Sequence, residues 1–440
     1  MTRITLLEGT PVLRLTRLVT TAAAGALVAA LGAAPQAGAA SATFYDPPAD
    51  LPAGQGAIVR TEPMKLALTL RGLYLPGNAT RIMYTSTDEA GEPAAVSGAY
   101  IEPTKKWRGT GPRPLVAVAA GTQGQGDACA PSKTLENFLN VEGDEFGIGY
   151  EIPSIYDFLN RGIAVVLTDY IGLGTTDRVH TYTNRLDMGH ALLDAARAAL
   201  KLPNTSISQS SPVGLYGYSQ GGGAAGSAAE LAPSYAPELN LKGAYAGAPP
   251  ANLAEVLKSA DGTDLTGVIA YAINGITPYH PELQSALDTL ATAEGKAALE
   301  KVKTQCIGGT LFSYGFQKTK KWTTTGQSLY DILKTNPELR APVDAQRIGR
   351  LKPAVPVQVL TGTKDDIVDH AQAKQLAKDW CDQGANITYT PVIQIIPTAG
   401  TALNHLTPMI TRLGATHDWL QDRLEGKSVR SNCGSLRLLP

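Results

Sequence analysis

The chain has 440 residues, 43% of them apolar and 18% charged, and its 38 basic and 39 acidic residues leave a formal net charge of −1. That composition belongs to a folded globular protein and excludes a disordered or fibrous one. No basic run breaks the charge balance, so neither nucleic acid nor an anionic membrane surface is expected as a partner.

At the N-terminus, Arg3, Arg14 and Arg17 precede the apolar run LVTTAAAGALVAALGAA, and the small residues PQAGAASA follow. This order of charge, apolar run and A-x-A site predicts a secretory signal over residues 1–40, cleaved near Ala39, Ala40 or Ala42, and a secreted protein. The run is short and alanine-rich for a membrane span, which needs ~20 apolar residues. Next comes a Pro-rich stretch, FYDPPADLPAGQG, read as an extended lead-in.

Short apolar runs then alternate with helical patterns. PLVAVAA (114–120) reads as a buried strand ending in the glycine-rich turn GTQGQG, and GIAVVLTDY (162–170) as another ending in IGLGTTD. LDMGHALLDAARAALKL (186–202) has apolar residues at helical spacing and leads into the strand pattern SPVGLYGYS. Such alternation predicts an α/β fold, with a mainly parallel sheet covered by helices on both faces. Ligand sites in such sheets lie beyond the carboxyl ends of the strands, where these glycine-rich turns fall. From 251 to 345 the pattern is helical, and strands resume with PAVPVQVLTGT (353–363) and ITYTPVIQIIP (387–397) before a helical ending. The expected organisation is therefore a core over 41–250 and 346–440, interrupted by a helical cap over 251–345.

Four cysteines, Cys129, Cys306, Cys381 and Cys433, form no C-x-x-C pair, and no histidine sits at zinc-ligand spacing, so no metal site is expected. An even count in an exported chain predicts two disulfides, with three connectivities open.

The chemistry centres on Gly217-Tyr218-Ser219-Gln220-Gly221, a G-x-S-x-G pattern between a strand and the small-residue helix opening QGGGAAGSAAEL. In that setting the pattern is a nucleophile elbow, whose tight corner presents Ser219. A serine hydroxyl needs a base to take its proton and an acid to hold that base, in the chain order serine, acid, histidine. The turn after strand 353–363 offers Asp365, with Asp366 as runner-up, and either could instead cap the helix that follows. His180, His190 and His280 precede the acid, and His370 lies too close to it. His417 falls inside an amphipathic helical pattern. His405, in the loop after the last strand pattern, is left as the base. Gln220 is expected to give one backbone N–H to the oxyanion, and Thr122 or Gln123 in GTQGQG the second. Asp169 also lies at a strand end, but it precedes the serine and is read as structural. No cofactor is required.

The strings FYDPP, CAPS (129–132), YGYSQGG, PSYAPELN (233–240), KDDIVDH, CDQGANI (381–387) and NHLTP resemble the secretory lipase family of α/β-hydrolases along nearly the whole chain. The resemblance implies an α/β-hydrolase fold with a helical lid and hydrolysis of carboxylic esters, acylglycerols included. It also implies Ser219, Asp365 and His405 as the triad, and the pairings Cys129–Cys306 and Cys381–Cys433. The segment between GANI and NH is several residues longer than in the family, and the oxyanion turn carries glycine and glutamine where relatives can carry an acid. The function expected is a secreted serine esterase or lipase acting on an ester or lipid substrate through an acyl-enzyme. The alternatives are an acyltransferase using the same triad and a non-catalytic lipid-binding protein on the same scaffold.

Overall fold

The computed structural model describes residues 43–68, 76–143, 145–395 and 400–440; the expected signal segment lies outside them. The described residues form eleven strands: β1 (Ile58–Met64), β2 (Gly77–Thr87), β3 (Pro93–Pro103), β4 (Leu115–Ala119), β5 (Leu139–Glu142), β6 (Glu145–Ile148), β7 (Ala164–Ile171), β8 (Val213–Tyr218), β9 (Leu241–Gly247), β10 (Val357–Gly362) and β11 (Ile387–Val392). Nine of them make one sheet in the order β1-β2-β3-β7-β4-β8-β9-β10-β11, while β5 and β6 pair only with each other. From β7 to β11 every pairing is parallel. Strands β4, β7, β8 and β10 are buried at every position, which is why they read as unbroken apolar runs rather than alternating ones.

Fourteen helices complete the described structure. The first four, α1 (Pro131–Asn137), α2 (Ile152–Asn160), α3 (Arg185–Lys201) and α4 (Gln220–Tyr235), lie between sheet strands. Then come α5 (Leu253–Ala260), α6 (Val268–Ile276), α7 (Pro281–Leu290), α8 (Ala293–Val302), α9 (Ile307–Tyr314), α10 (Leu329–Thr335) and α11 (Pro337–Ala345), with no sheet strand among them. The chain returns to the sheet with α12 (His370–Asp382), α13 (Leu403–Thr411) and α14 (Leu413–Leu424). The largest apolar core surrounds the sheet. A second cluster, including Val268, Ile269, Tyr271, Val302 and Trp322, belongs mainly to the helical block. None of the described helices is long and apolar enough to cross a membrane.

Several boundaries differ from the sequence reading. The stretch after the Pro-rich lead-in forms three antiparallel strands, β1 to β3, which the alternation of strands and helices did not reveal, because antiparallel neighbours need no intervening helix. Strand β9, LKGAYAG, was also missed; its small residues carry little strand signal, yet it lies between two strands. The last strand ends at Val392 rather than continuing to 397, and β10 begins at Val357 after the prolines of PAVP.

Helix α4 lies unusually close to the sheet. A Cβ built on Gly222 would come within 2.0 Å of the Gly247 carbonyl oxygen, and one on Gly221 within 2.1 Å of that of Ala119. Only glycine permits this approach, so the run QGGG fixes the depth at which the start of α4 sits behind β4 and β9.

Candidate active site

Three strand ends bring the site together. Ser219 follows β8 and precedes α4 with φ 58° and ψ −124°, a backbone region costly for a residue with a side chain. Its N–H donates to the Gly247 carbonyl at 2.9 Å, and its own carbonyl accepts from Gly223 N–H at 3.0 Å, so the corner is fixed from both sides. Asp365 lies in the turn after β10, and its Oδ1 accepts the N–H groups of Ile367 (3.0 Å) and Val368 (2.9 Å). His405 lies in the first turn of α13, after β11.

His405 Nε2 is 2.8 Å from Ser219 Oγ, and Nδ1 is 2.8 Å from Asp365 Oδ2 and 3.0 Å from Oδ1. With the ring proton on Nδ1 facing the carboxylate, Nε2 is left to accept the serine proton. Both the imidazole and the Asp365 carboxylate are shut off from solvent. Burial opposes a charge on His405, but the carboxylates of Asp365, Asp366 and Asp264 outweigh it and hold the imidazole above its ordinary value. The arrangement can make a hydroxyl nucleophilic and store its proton on a stabilised imidazolium.

The two adjacent aspartates have different partners. Asp366 accepts the backbone N–H of His405 (3.1 Å) and of Thr401 (3.0 Å), so it caps the start of α13 instead of facing the ring. The helix after this turn, α12, is capped by Asp369, whose Oδ1 accepts from Ala371 N–H at 2.8 Å. Three other histidines lie elsewhere. His417 packs against the Phe158 ring and bonds Asp157, His190 stacks on Tyr235, and His370 bonds Tyr389. Asp169 is buried, accepting from Ser97 (2.7 Å) and Ser132 (2.5 Å), which ties β3 and the CAPS turn to β7.

The two expected oxyanion turns meet at Ser219. Gln220 is the first residue of α4, and Thr122, just beyond β4, lines the same cavity as Ser219 and Gln220. Gln123 is not part of that lining; its side chain turns under the loop, where Nε2 donates to Glu151 Oε2 at 3.0 Å. Both candidates for the second donor lie in this turn, and Thr122 is the one that lines the cavity.

Sequence reasoning missed the residues that hold these parts in place. Tyr218 donates to the His405 carbonyl at 2.6 Å. Gln394, after β11, links the histidine and acid loops: its Nε2 donates to the Asn404 carbonyl at 2.6 Å and its Oε1 accepts Lys364 N–H at 3.0 Å. His180 faces the Gln220 amide at 3.1 Å, and burial pushes its pKa down to about 4, so it is neutral at pH 7. Tyr150 donates to the Thr122 carbonyl at 2.8 Å, and Tyr182 pairs with the Thr122 hydroxyl at 2.7 Å. Tyr218 sits inside the G-x-S-x-G pattern, but its bond to the His405 loop, like the roles of the others, is visible only once distant loops are brought together.

From Ser219 a cavity of about 180 Å³ runs into the helical block, lined almost wholly by apolar side chains such as Leu257, Val268, Ile273, Leu287 and Leu299. Two disulfides are formed, Cys129–Cys306 and Cys381–Cys433, the connectivity implied by the resemblance. Among the described residues no cluster of His, Cys, Asp and Glu has the arrangement of a metal site.

A family model described as secretory lipase matches residues 139–432. Lipase 5 of Candida albicans is 31% identical over 408 residues, covering 89% of this chain and 82% of that protein. A Mycobacterium tuberculosis protein named as a probable inactive lipase is 28% identical over 389 residues, covering 88% of this chain and 82% of that protein. In fold, the chain is similar to Candida antarctica lipase A in its closed state, with a TM-score of 0.73 at 22% identity, over 89% of this chain and 87% of that one.

Proposed function

The chain belongs to the secretory lipase family and is a carboxylic ester hydrolase with an α/β-hydrolase fold, and from this premise we propose that it is a secreted lipase that cleaves long-chain acyl esters at Ser219. Ser219 Oγ attacks the ester carbonyl while His405 Nε2 takes its proton, and Asp365 stabilises the resulting imidazolium. The oxyanion accepts the backbone N–H groups of Gln220 and Thr122. His405 then protonates the departing alcohol, and water, deprotonated by the same imidazole, releases the acid from Ser219.

The observation that carries this reading is the unbroken relay of 2.8 Å contacts from Ser219 through His405 to Asp365, at the mouth of an apolar cavity. A relay alone serves any acyl ester. The cavity favours those with a long hydrocarbon chain, because each buried methylene contributes about 0.8 kcal/mol. Acylglycerols fit this description, and the helical block over α5 to α11 is then the cap that encloses the chain.

The test is hydrolysis of p-nitrophenyl butyrate and palmitate by the wild type and by Ser219→Ala. Loss of both activities in the variant by about 10⁴-fold or more, with an unchanged unfolding temperature, is expected for a nucleophile. Wild-type hydrolysis by Ser219→Ala would overturn the assignment.

A further inference from the structure

Glu151 opens the segment EIPSIY at the start of α2 and belongs to no catalytic motif, yet its carboxyl reaches the turn after β4. Its Oε1 accepts the N–H of Gly121 at 2.8 Å, and its Oε2 accepts the side-chain N–H of Gln123 at 3.0 Å. The two partners flank Thr122. The remaining bonds to the turn are neutral: Tyr150 holds the Thr122 carbonyl, Tyr182 the Thr122 hydroxyl, and Ile307 N–H the Gln123 carbonyl at 2.8 Å. An ionisable group aimed at this backbone is unusual, because a charge there costs desolvation that an amide or hydroxyl would avoid. A Cβ on Gly121 would lie 2.6 Å from the Tyr150 hydroxyl, so glycine is what lets the turn pass this close to Tyr150.

We propose that Glu151 is the positioning residue of the oxyanion turn, holding Gly121 and Gln123 so that the Thr122 N–H between them faces the oxyanion formed at Ser219. The inference rests on the ester-hydrolase role given to Ser219 above. It includes the form in which Glu151 works. Burial pushes its carboxyl up to about 8, so it is neutral at pH 7. As pH rises through that value the group ionises, and a negative charge beneath the turn opposes the developing oxyanion. The other titratable groups around Glu151 are Tyr150, just before α2, Tyr170 of β7 and Tyr216 of β8, with Tyr182 bonding the turn itself at Thr122 from the loop after β7. Burial raises all four, Tyr182 and Tyr216 to about 12 and the other two well above the ordinary tyrosine value. No tyrosine of this group therefore titrates near pH 8.

The test compares Glu151→Ala, Glu151→Gln and Ser219→Ala with wild type on p-nitrophenyl butyrate, and adds inhibition by an alkyl trifluoromethyl ketone, whose adduct with serine carries the oxyanion. Deleting an oxyanion donor outright costs about 10²–10³ in kcat. A donor that is merely misaimed should cost about 10- to 100-fold. The expected result for Glu151→Ala is that fall in kcat with KM nearly unchanged, and a matching loss of affinity for the ketone. Glu151→Gln, which can still accept from Gly121 but cannot ionise, should recover most of kcat at pH 7 and lack the decline above pH 8. Unchanged kcat in Glu151→Ala, or a fall in kcat with ketone affinity intact, overturns the proposal. Should Glu151→Ala fail to fold, an alkaline limb in Glu151→Gln identical to wild type overturns it instead. Activity retained in Ser219→Ala would remove the ester-hydrolase role itself, an outcome separate from either.

Discussion

At the scale of single residues, the environment of His405 sets how the site responds to pH. A general base has to be neutral to accept a proton, so kcat/KM should rise through the imidazole pKa, which Asp365, Asp366 and Asp264 hold above its ordinary value. Asp264 contributes from the helical block, between α5 and α6, and burial together with Asp366 pushes its own pKa up to about 6. Above that pH it is an anion favouring the imidazolium. Asp264→Asn removes the anion, so the acid limb of the kcat/KM profile should move to lower pH while the plateau is kept. A pH profile from 5 to 9 checks this, and an unmoved limb would show that Asp264 does not act on His405. The choice between Asp365 and Asp366 shows where residue-level reading stops. Sequence ranks Asp365 ahead of Asp366 only by its place right after the strand, whereas the turn itself points one at the ring and the other at the N-terminus of α13. Thr122 and Gln123 were equivalent in sequence until one faced the cavity and the other Glu151. Glu151 itself carried no sequence signal, since a lone acid at a helix start is the ordinary complement to the helix dipole.

At the scale of elements, legibility followed periodicity. Strands β4, β7, β8 and β10 and helix α3 announced themselves through continuous burial or helical spacing. Strands β1 to β3 and the alanine- and glycine-rich β9 did not, because their pairing depends on partners remote in sequence. The helical block was visible as a change of rhythm, and α7 shows how it meets the cavity. None of its residues is fully buried, but Leu283, Ala286, Leu287 and Leu290 form one apolar stripe along the cavity. A bulky side chain on that stripe should shorten the space for a hydrocarbon chain without touching the relay at Ser219. Ala286→Trp is therefore expected to lower kcat/KM for p-nitrophenyl palmitate by about tenfold or more, the loss of two or so buried methylenes, and to spare the butyrate ester. Equal losses on both esters would mean that the cavity does not hold the acyl chain.

At the scale of the whole molecule, the two disulfides differ in burial and span. Cys129–Cys306 joins the segment after the oxyanion turn to the start of α9, a separation of 177 residues, and both cysteines are fully buried. Cys381–Cys433 ties the end of α12 to the C-terminal segment across 52 residues, and its cysteines are only part-buried. Closing loops of these lengths removes about 4–5 kcal/mol of unfolded-state entropy apiece in the chain-entropy account. Mild reduction of the native protein should open Cys381–Cys433 first and leave esterase activity largely intact. Thiol alkylation followed by peptide mapping reads the order, and early labelling of Cys129 and Cys306 would contradict it. The presence of two apolar cores has a different kind of consequence. The helical block has an apolar cluster largely of its own, so on the proposed reading the residues lining the hydrocarbon cavity can vary separately from those at the relay. Selection can retune what such an enzyme eats without rebuilding how it bites.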